Sequence, residues 1–591
     1  MAARNLVILY GSQTGTATDV AKRIRKQARL RRFNTTLKAM NDFSLEELKQ
    51  TPLIVFVCST TGQGDPPDNM AKFWRFMLRR RELPAGSLSH LKFAVLGLGD
   101  SSYMEFNFAA KRLNRRLLGT GATSIQEIGY ADDQHELGID GVAEPWIAQL
   151  MDNLMVNYPL PEGEGMLSDE GLPITSFRID VLTETSENCS NAETAEKTDD
   201  DPPFYARILS NERVTALDHT QDVRFIKFDT ADCTFKYEPG DVLVVLPENL
   251  PAVVDELLML LELDGERKIR LFVNDEDVAL PDSKVLRNPC TVREAATKFW
   301  DFQAVPRRSF FELLVHFATD ERERERLKEF ASAAGTDDLY GYCFRPKRTA
   351  LEVLQDFSDT AKKIPIAYLF DLFAAIKPRS FSIASSPKYH PGEMHILVAV
   401  VCYKTKLKRP RTGVCSTWLA ALPAASIIPI WVRKGTMKFD KVEDRPVVMV
   451  GPGTGVAPFR SFIFDRVAEG VGHSILFFGC RERTKDFHFE TEWQALQDKG
   501  LLKFEPAFSR EQEEKVYVQD VMKRSAGKVF NWIYEQGGAF YVAGNSKQMP
   551  TGVMNALKRI LQEEGGMSGD EAAEEVKKMQ SEGRYQTETW G

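Results

Sequence analysis

Three apolar runs in the first 155 residues, Leu6–Tyr10, Leu53–Cys58 and Phe93–Gly97, each break into a loop of glycine and hydroxyl residues and then into a helical pattern. Runs this short, with no polar face, read as strands buried on both sides. Between them, Asp19–Arg32, Asn69–Arg81 and Ala109–Leu118 read as helices. Alternation of strand and helix predicts a doubly wound parallel sheet. A sheet of that kind binds ligands outside the carboxyl ends of its strands, which is where these loops fall.

The first loop, Gly11-Ser12-Gln13-Thr14-Gly15-Thr16-Ala17-Thr18, opens a helix. Its small residues let backbone N–H groups close on an anion, the hydroxyls of Ser12, Thr14, Thr16 and Thr18 add donors, and the helix dipole favours negative charge. It contains no lysine, which separates it from a nucleotide P-loop and suits a monophosphate. The second loop is Ser59-Thr60-Thr61-Gly62-Gln63-Gly64-Asp65. The third is Gly97-Leu98-Gly99-Asp100-Ser101-Ser102-Tyr103-Met104-Glu105-Phe106-Asn107. One such loop is commonly just a turn; three in this order closely resemble the FMN-binding domain of the flavodoxins. The resemblance implies that the three loops hold FMN. It also implies that Tyr103 stacks on the ring and that Asp132, in Gly129-Tyr130-Ala131-Asp132-Asp133, lies near it. Many diflavin reductases carry an aromatic where Thr61 stands. One aromatic face instead of two implies a shifted potential and a site weaker by about 1 kcal/mol or more.

From about residue 204 the pattern changes. Tyr205–Asn211, Val223–Asp229, Asp241–Leu246, Ser380–Ala384, Met394–Cys402 and Ile427–Val432 read as strands of an antiparallel barrel, with a largely helical insert over about 250–375. Within it, Lys377-Pro378-Arg379-Ser380-Phe381-Ser382-Ile383 resembles the RxYS signature of the ferredoxin-reductase family. By that resemblance Arg379 holds the FAD pyrophosphate, Phe381 packs on the flavin in place of the usual Tyr, and Ser382 approaches N5. A fork-shaped cation suits a diphosphate. Gly413-Val414-Cys415-Ser416 resembles the family's pyrophosphate-binding helix start, where backbone N–H groups bind phosphate, and Arg348 matches a third position that contacts FAD.

Over 441–591 strands and helices alternate again, with Val447–Val450, Ser474–Gly479, Lys503–Phe508 and Ala539–Ala543 as the strands. The turn Gly451-Pro452-Gly453-Thr454-Gly455 between strand and helix is a dinucleotide signature of moderate specificity, with Thr454 as a candidate contact. Ser509-Arg510-Glu511-Gln512-Glu513-Glu514-Lys515-Val516-Tyr517-Val518-Gln519 gathers a hydroxyl, two cations and a phenol, which suit a ribose 2′-phosphate and hence NADPH over NADH. In the family the residues matching Ser509, Arg510, Lys515 and Tyr517 contact that phosphate, and Val516, Val518 and Gln519 complete the segment. At the end, Trp590 matches the aromatic that covers the FAD ring. Glu588 matches the acid that works with Ser382, and these three residues are the catalytic candidates. Ala543 stands where the family has a cysteine.

The order of these parts covers essentially the whole chain and resembles the diflavin reductases. It predicts a multidomain protein: a flavodoxin-like FMN domain over 1–155, an acidic flexible linker over 156–203, an FAD-binding β-barrel with its helical connecting insert over 204–440, and an α/β NADPH-binding domain over 441–591. The linker holds twelve acids and two bases, a net of −10, against −8 for the whole chain, and reads as a self-repelling tether that lets the FMN domain swing. The resemblance implies flow of electrons from NADPH to FAD to FMN and then to a protein acceptor. The short linker and the second loop resemble most the cytosolic branch, which implies anamorsin, an iron–sulfur protein of cytosolic iron–sulfur assembly, as acceptor. Another haem or flavin partner stays open, as does small-molecule diaphorase activity, although a diaphorase needs no FMN domain.

Eight scattered cysteines with no CxxC pair argue against a metal or cluster site and against a disulfide framework. No apolar run reaches the length of a transmembrane helix, and the N-terminus lacks a signal-peptide pattern. A cytoplasmic monomer with no membrane anchor, no metal and no affinity for nucleic acid is expected. The acids Asp65, Asp68, Asp100, Glu105, Asp132, Asp133 and Glu136 on or beside the FMN loops predict an acidic docking rim for a basic partner.

Overall fold

The first sheet is parallel, in the order β2-β1-β3-β4-β5, with β6 also paired to β4. Its strands are β1 (Asn5–Gly11), β2 (Asn34–Ala39), β3 (Leu53–Ser59), β4 (Lys92–Gly99), β5 (Thr123–Ser124) and β6 (Gly129–Asp132). These coordinates are a computed structural model. It describes residues 4–182 except Gln63, Met104 and Glu170, and residues 202–590 except 276–285, 287–288 and 441–443. Met104 and the 183–201 part of the acidic segment therefore lie outside the described residues. Helices α1 (Thr16–Leu30), α2 (Leu45–Gln50), α3 (Asp68–Met77), α4 (Phe108–Gly119) and α5 (Asp140–Asn157) link the strands. They build two cores, one around Leu6, Ile8, Val55 and Leu96, the other around Leu9, Ile54, Phe56 and Phe93. Alternate residues of one strand thus feed opposite faces, as a doubly covered sheet requires.

The chain divides into two units. The first joins Met1–Asn191 with Asn249–Ile376 and Thr405–Leu407, so the flavodoxin-like lobe and the insert belong together. The insert has its own aromatic-rich core around Trp300, Phe311 and Phe330. Its join to the lobe is polar. Arg23 of α1 pairs with Asp140 of α5 at 2.8 Å and with Glu144, and the buried Arg308 of the insert approaches the same two carboxylates at 3.7 and 3.4 Å.

The insert is not purely helical, and the acidic segment is not purely a tether. Phe177–Val181 forms a strand antiparallel to Lys268–Val273, which in turn pairs Cys290–Thr291. The residues Phe177-Arg178-Ile179-Asp180-Val181 alternate apolar and charged, the period of a strand. Acidic and proline-rich flanks hide that period from a composition-based reading.

In the second unit the antiparallel sheet runs Arg379–Ser382, Val242–Val245, Ile427–Arg433, Phe204–Arg213, Val223–Asp229, Glu393–Ala399. An isolated bridge from Ile383 to Ile396, with Ala384 N–H donating to His395 O at 2.8 Å, joins the two outer strands and closes the barrel. The last sheet is parallel, in the order Lys503–Phe508, Ser474–Cys480, Val447–Val450, Ala539–Asn545, Tyr585–Trp590. The chain's final residues, read from sequence only as a matched tail, thus form its edge strand.

Candidate functional site

The carboxyl ends of β1, β3 and β4 lie side by side, with Gly11 beside Cys58 and Ser59 beside Leu98. Three loops that are far apart in sequence therefore meet at one edge. In the first, Gly15 takes a left-handed conformation (φ 92°) as the N-cap of α1 and brings no side-chain acceptor. No side chain caps the first-turn amides of α1, and the Ser12, Thr14 and Thr16 hydroxyls stand in the same loop, the chemistry a phosphate monoester requires. Ser12 Oγ accepts from Gly15 N–H at 3.0 Å, and Gln13 bridges to Asp68 at the start of α3. Ala17 is buried in the lobe's core.

In the second loop Thr60 N–H donates to Leu98 O at 3.2 Å. Thr61 closes a tight turn with Asp65, Gly62 occupying a left-handed position within it. The Thr61 hydroxyl is thereby used by the loop itself. In the third, Asp132 Oδ1 accepts from Ser101 N–H at 2.9 Å and Asp100 Oδ1 from Ser102 N–H at 2.8 Å. Burial would raise the Asp132 carboxyl, but the hydrogen bonds from Ser101 and Gln134 prevail and lower it. Asp132 thus holds the loop in shape as an anion. Gly97 leaves room for Asn107, whose buried Oδ1 has no partner among the described residues. Tyr103, Glu105 and Phe106 are half-buried along the same loop. An open, polar cradle with an unmet acceptor fits FMN.

Of the FAD candidates, Arg379–Ser382, Gly413–Ser416 and Trp590 belong to the second unit and Arg348 to the first. Arg379 lies close enough to Cys415 to act on it electrostatically, although burial dominates and pushes that thiol up to about 12. The exposed Arg379 donates to the Lys377 and Pro378 carbonyls at 3.1 and 3.3 Å, and the helix Val414–Ala421 has Gly413 as its N-cap. The side chains of Cys415 and Ser416 are buried, and Ser416 Oγ accepts from Val401 N–H at 3.0 Å. These residues offer phosphate their amides, not their side chains. Thr417 Oγ1 in the same first turn is buried without a partner among the described residues, a vacancy that fits a diphosphate. Arg348, in the insert, pairs with Asp356 at 2.7 Å and stacks over Tyr342 at 4.3 Å.

At the last sheet, Gly453–Gly455 forms a single turn after Val447–Val450, and Thr454 is half-buried within it. A Cβ on Gly455 would run into the Ala543 carbonyl oxygen, so only glycine lets the turn settle on the neighbouring strand. Ser509 N–H donates to Cys480 O and Arg510 N–H to Arg481 O, both at 3.0 Å, at the ends of adjacent strands. The side chains of Arg510, Lys515 and Tyr517 are exposed, and Gln519 is half-buried. Val518 belongs to the core, with Val516 packed against it, so these two support the segment. Arg481, which sequence reading missed, adjoins this segment through its carbonyl, while its guanidinium donates to Thr220 Oγ1 at 2.8 Å; nothing local distinguished it from a surface arginine.

The edge strand sets Glu588 beside Ala543 and Trp590 beside Asn545. Ser382, from the barrel, lies near enough to the Glu588 carboxyl to favour its ionised form. Burial pushes that carboxyl up to about 7, Ser382 pulling the other way, and Glu588 Oε2 has no partner among the described residues. Trp590 packs against the core that includes Ala384 and Ala543. Barrel and parallel sheet thus present a hydroxyl, an acid of raised pKa and an indole, which fits a flavin ring with a nicotinamide.

The flavodoxin family model matches residues 8–146, the FAD binding domain model 196–418, and the oxidoreductase NAD-binding domain model 449–555. Proteins named NADPH-dependent diflavin oxidoreductase 1 match end to end. The protein from Danio rerio is 48% identical, with 100% of both chains covered. That from Mus musculus is 46% identical over 100% of both, and that from Arabidopsis thaliana 38% over 99% of both. With three cofactor cradles in this order, the chain belongs to the NADPH-dependent diflavin oxidoreductase family, whose enzymes bind FMN, FAD and NADPH and pass electrons between them.

Proposed function

We propose that the chain draws electrons from NADPH at the Ser382–Glu588–Trp590 site and delivers them singly, from the edge of its flavodoxin-like lobe, to anamorsin in cytoplasmic iron–sulfur assembly. The observation that carries the first half is the buried Glu588 carboxyl, set beside Ala543 by the edge strand and raised to about 7 by burial with Ser382 near it. The bound flavins supply the conversion of a two-electron donor into one-electron deliveries. The residues supply the rest. Arg379 and the amides of Gly413–Ser416 anchor the FAD diphosphate. Glu588 keeps a proton on its carboxyl and exchanges it through the Ser382 hydroxyl. Trp590 covers the ring until nicotinamide displaces it and so keeps water out. Ser509, Arg510, Lys515 and Tyr517 hold the 2′-phosphate.

Delivery is supported by exposed Asp65, Asp68, Asp133 and Glu136 on the loops around the FMN cradle. They form a rim that suits an acceptor with a basic patch. Scattered thiols such as buried Cys58 and Cys343 suit a reducing compartment. The test is NADPH-driven reduction of purified anamorsin, followed by its cluster absorbance. Reduction that requires FMN and slows as salt rises is expected; reduction indifferent to salt would remove the docking rim, and no reduction would remove the partner.

A further inference from the structure

The phosphate loop contains no lysine, yet a cation reaches it from the insert. Arg307 Nη2 donates to Thr14 O at 3.0 Å and to Thr16 Oγ1 at 3.1 Å. Its Nη1 lies 3.1 Å from where a Cβ on Gly15 would be. The guanidinium is therefore laid along the residues that line the cradle. The next residues join the same surface: Ser309 Oγ donates to Asp19 Oδ1, and Arg308 reaches Asp140. Burial lowers the Arg307 pKa, and the neighbouring Asp19 and Asp301 offset this only in part. Asp19 is itself shared with Arg23 at 3.7 Å. A half-buried guanidinium whose contacts at the loop are a carbonyl and a hydroxyl is short of negative charge, and the cradle beside it is shaped for an anion.

We infer that Arg307 is a binding residue for the FMN 5′-phosphate, the cation of a phosphate site split between the flavodoxin-like lobe and the insert. The inference rests on placing that phosphate at Ser12–Ala17. A split site also makes the phosphate a tie between the two lobes, so that FMN helps to hold the insert on the lobe.

The test uses the full chain, stripped of FMN with FAD retained, and titrated with FMN and with riboflavin, which lacks the phosphate. Flavin fluorescence reports binding. Wild type is expected to prefer FMN. Arg307→Gln should weaken FMN about 10- to 100-fold, the worth of a charge-assisted hydrogen bond, and leave riboflavin unchanged. Arg307→Met, which keeps the apolar stem, carries the test if the glutamine variant does not fold. An unchanged FMN-to-riboflavin ratio would overturn the inference, as would an equal loss of both ligands. Thr16→Val separates the two levels of the argument. If it lowers the ratio and the Arg307 variants do not, the loop holds the phosphate without Arg307. If none of them lowers it, the phosphate lies elsewhere.

Discussion

Glu588 holds a proton at a pH where a free carboxyl has lost it, and the sign of the consequence follows. Its ordinary value is 4.5 and its value in the fold about 7. Between those limits the unfolded chain ionises the group while the fold resists, so its contribution to stability is greatest below pH 4.5 and is lost as pH rises to about 7. Glu588→Gln should therefore flatten the fall in melting temperature between pH 5 and 7.5 relative to wild type. The same variant should slow flavin reduction by NADPH about 100-fold and erase the inflection near pH 7, as removal of an acid–base group does. A variant whose melting and rate profiles keep both slopes would leave Glu588 no such part. At the nucleotide end, if Arg510 serves the 2′-phosphate as proposed, Arg510→Ala should raise KM for NADPH about 10-fold or more and leave NADH untouched, since NADH lacks that phosphate. Equal losses for the two nucleotides, measured by steady-state reduction of ferricyanide, would contradict that.

Legibility in the sequence follows how locally a role is written. The loop Gly11–Thr18 declares itself because anion, turn and helix start need one unbroken string. Arg307 does not, since it acts on Thr14 and Thr16 from nearly three hundred residues away and stands as the extended residue before an ordinary helix. The edge strand Tyr585–Trp590 was legible as a set of matched residues but not as a strand, because its half-buried face has no clean alternation. Its pairing with Ala539–Asn545 is what delivers Glu588 and Trp590 to the site. The turn Gly453–Gly455 needs that same strand in place. Gly455→Ala should push the turn off the Ala543 carbonyl, abolishing bleaching of the flavins by NADPH while chemical reduction by dithionite and the flavin content persist. Retained NADPH bleaching at wild-type rates would mean that the turn has slack that its packing denies.

Across the first unit, the polypeptide between lobe and insert changes hands at a definite point. Gly165, Leu167 and Asp169 are held by Arg32, Leu30 and Lys26 of the lobe. Pro173 and Ser176 are held by Tyr368 and Asp371 of the insert, and Phe177–Val181 is a strand of the insert's own sheet. If the lobe must leave the insert to meet its acceptor, the described residues offer a pivot between Asp169 and Pro173. The surface to be parted is built of ion pairs such as Lys26–Glu312 at 3.1 Å and Arg23–Asp140–Arg308, which water can replace at less cost than an apolar seam. A disulfide between Asp19→Cys and Ser309→Cys, whose side chains already touch, should then slow acceptor reduction at least tenfold. It should leave ferricyanide reduction near wild type, and dithiothreitol should restore the acceptor rate. Full acceptor reduction by the locked protein would mean that electrons leave with lobe and insert together, and the polar seam would then serve stability alone.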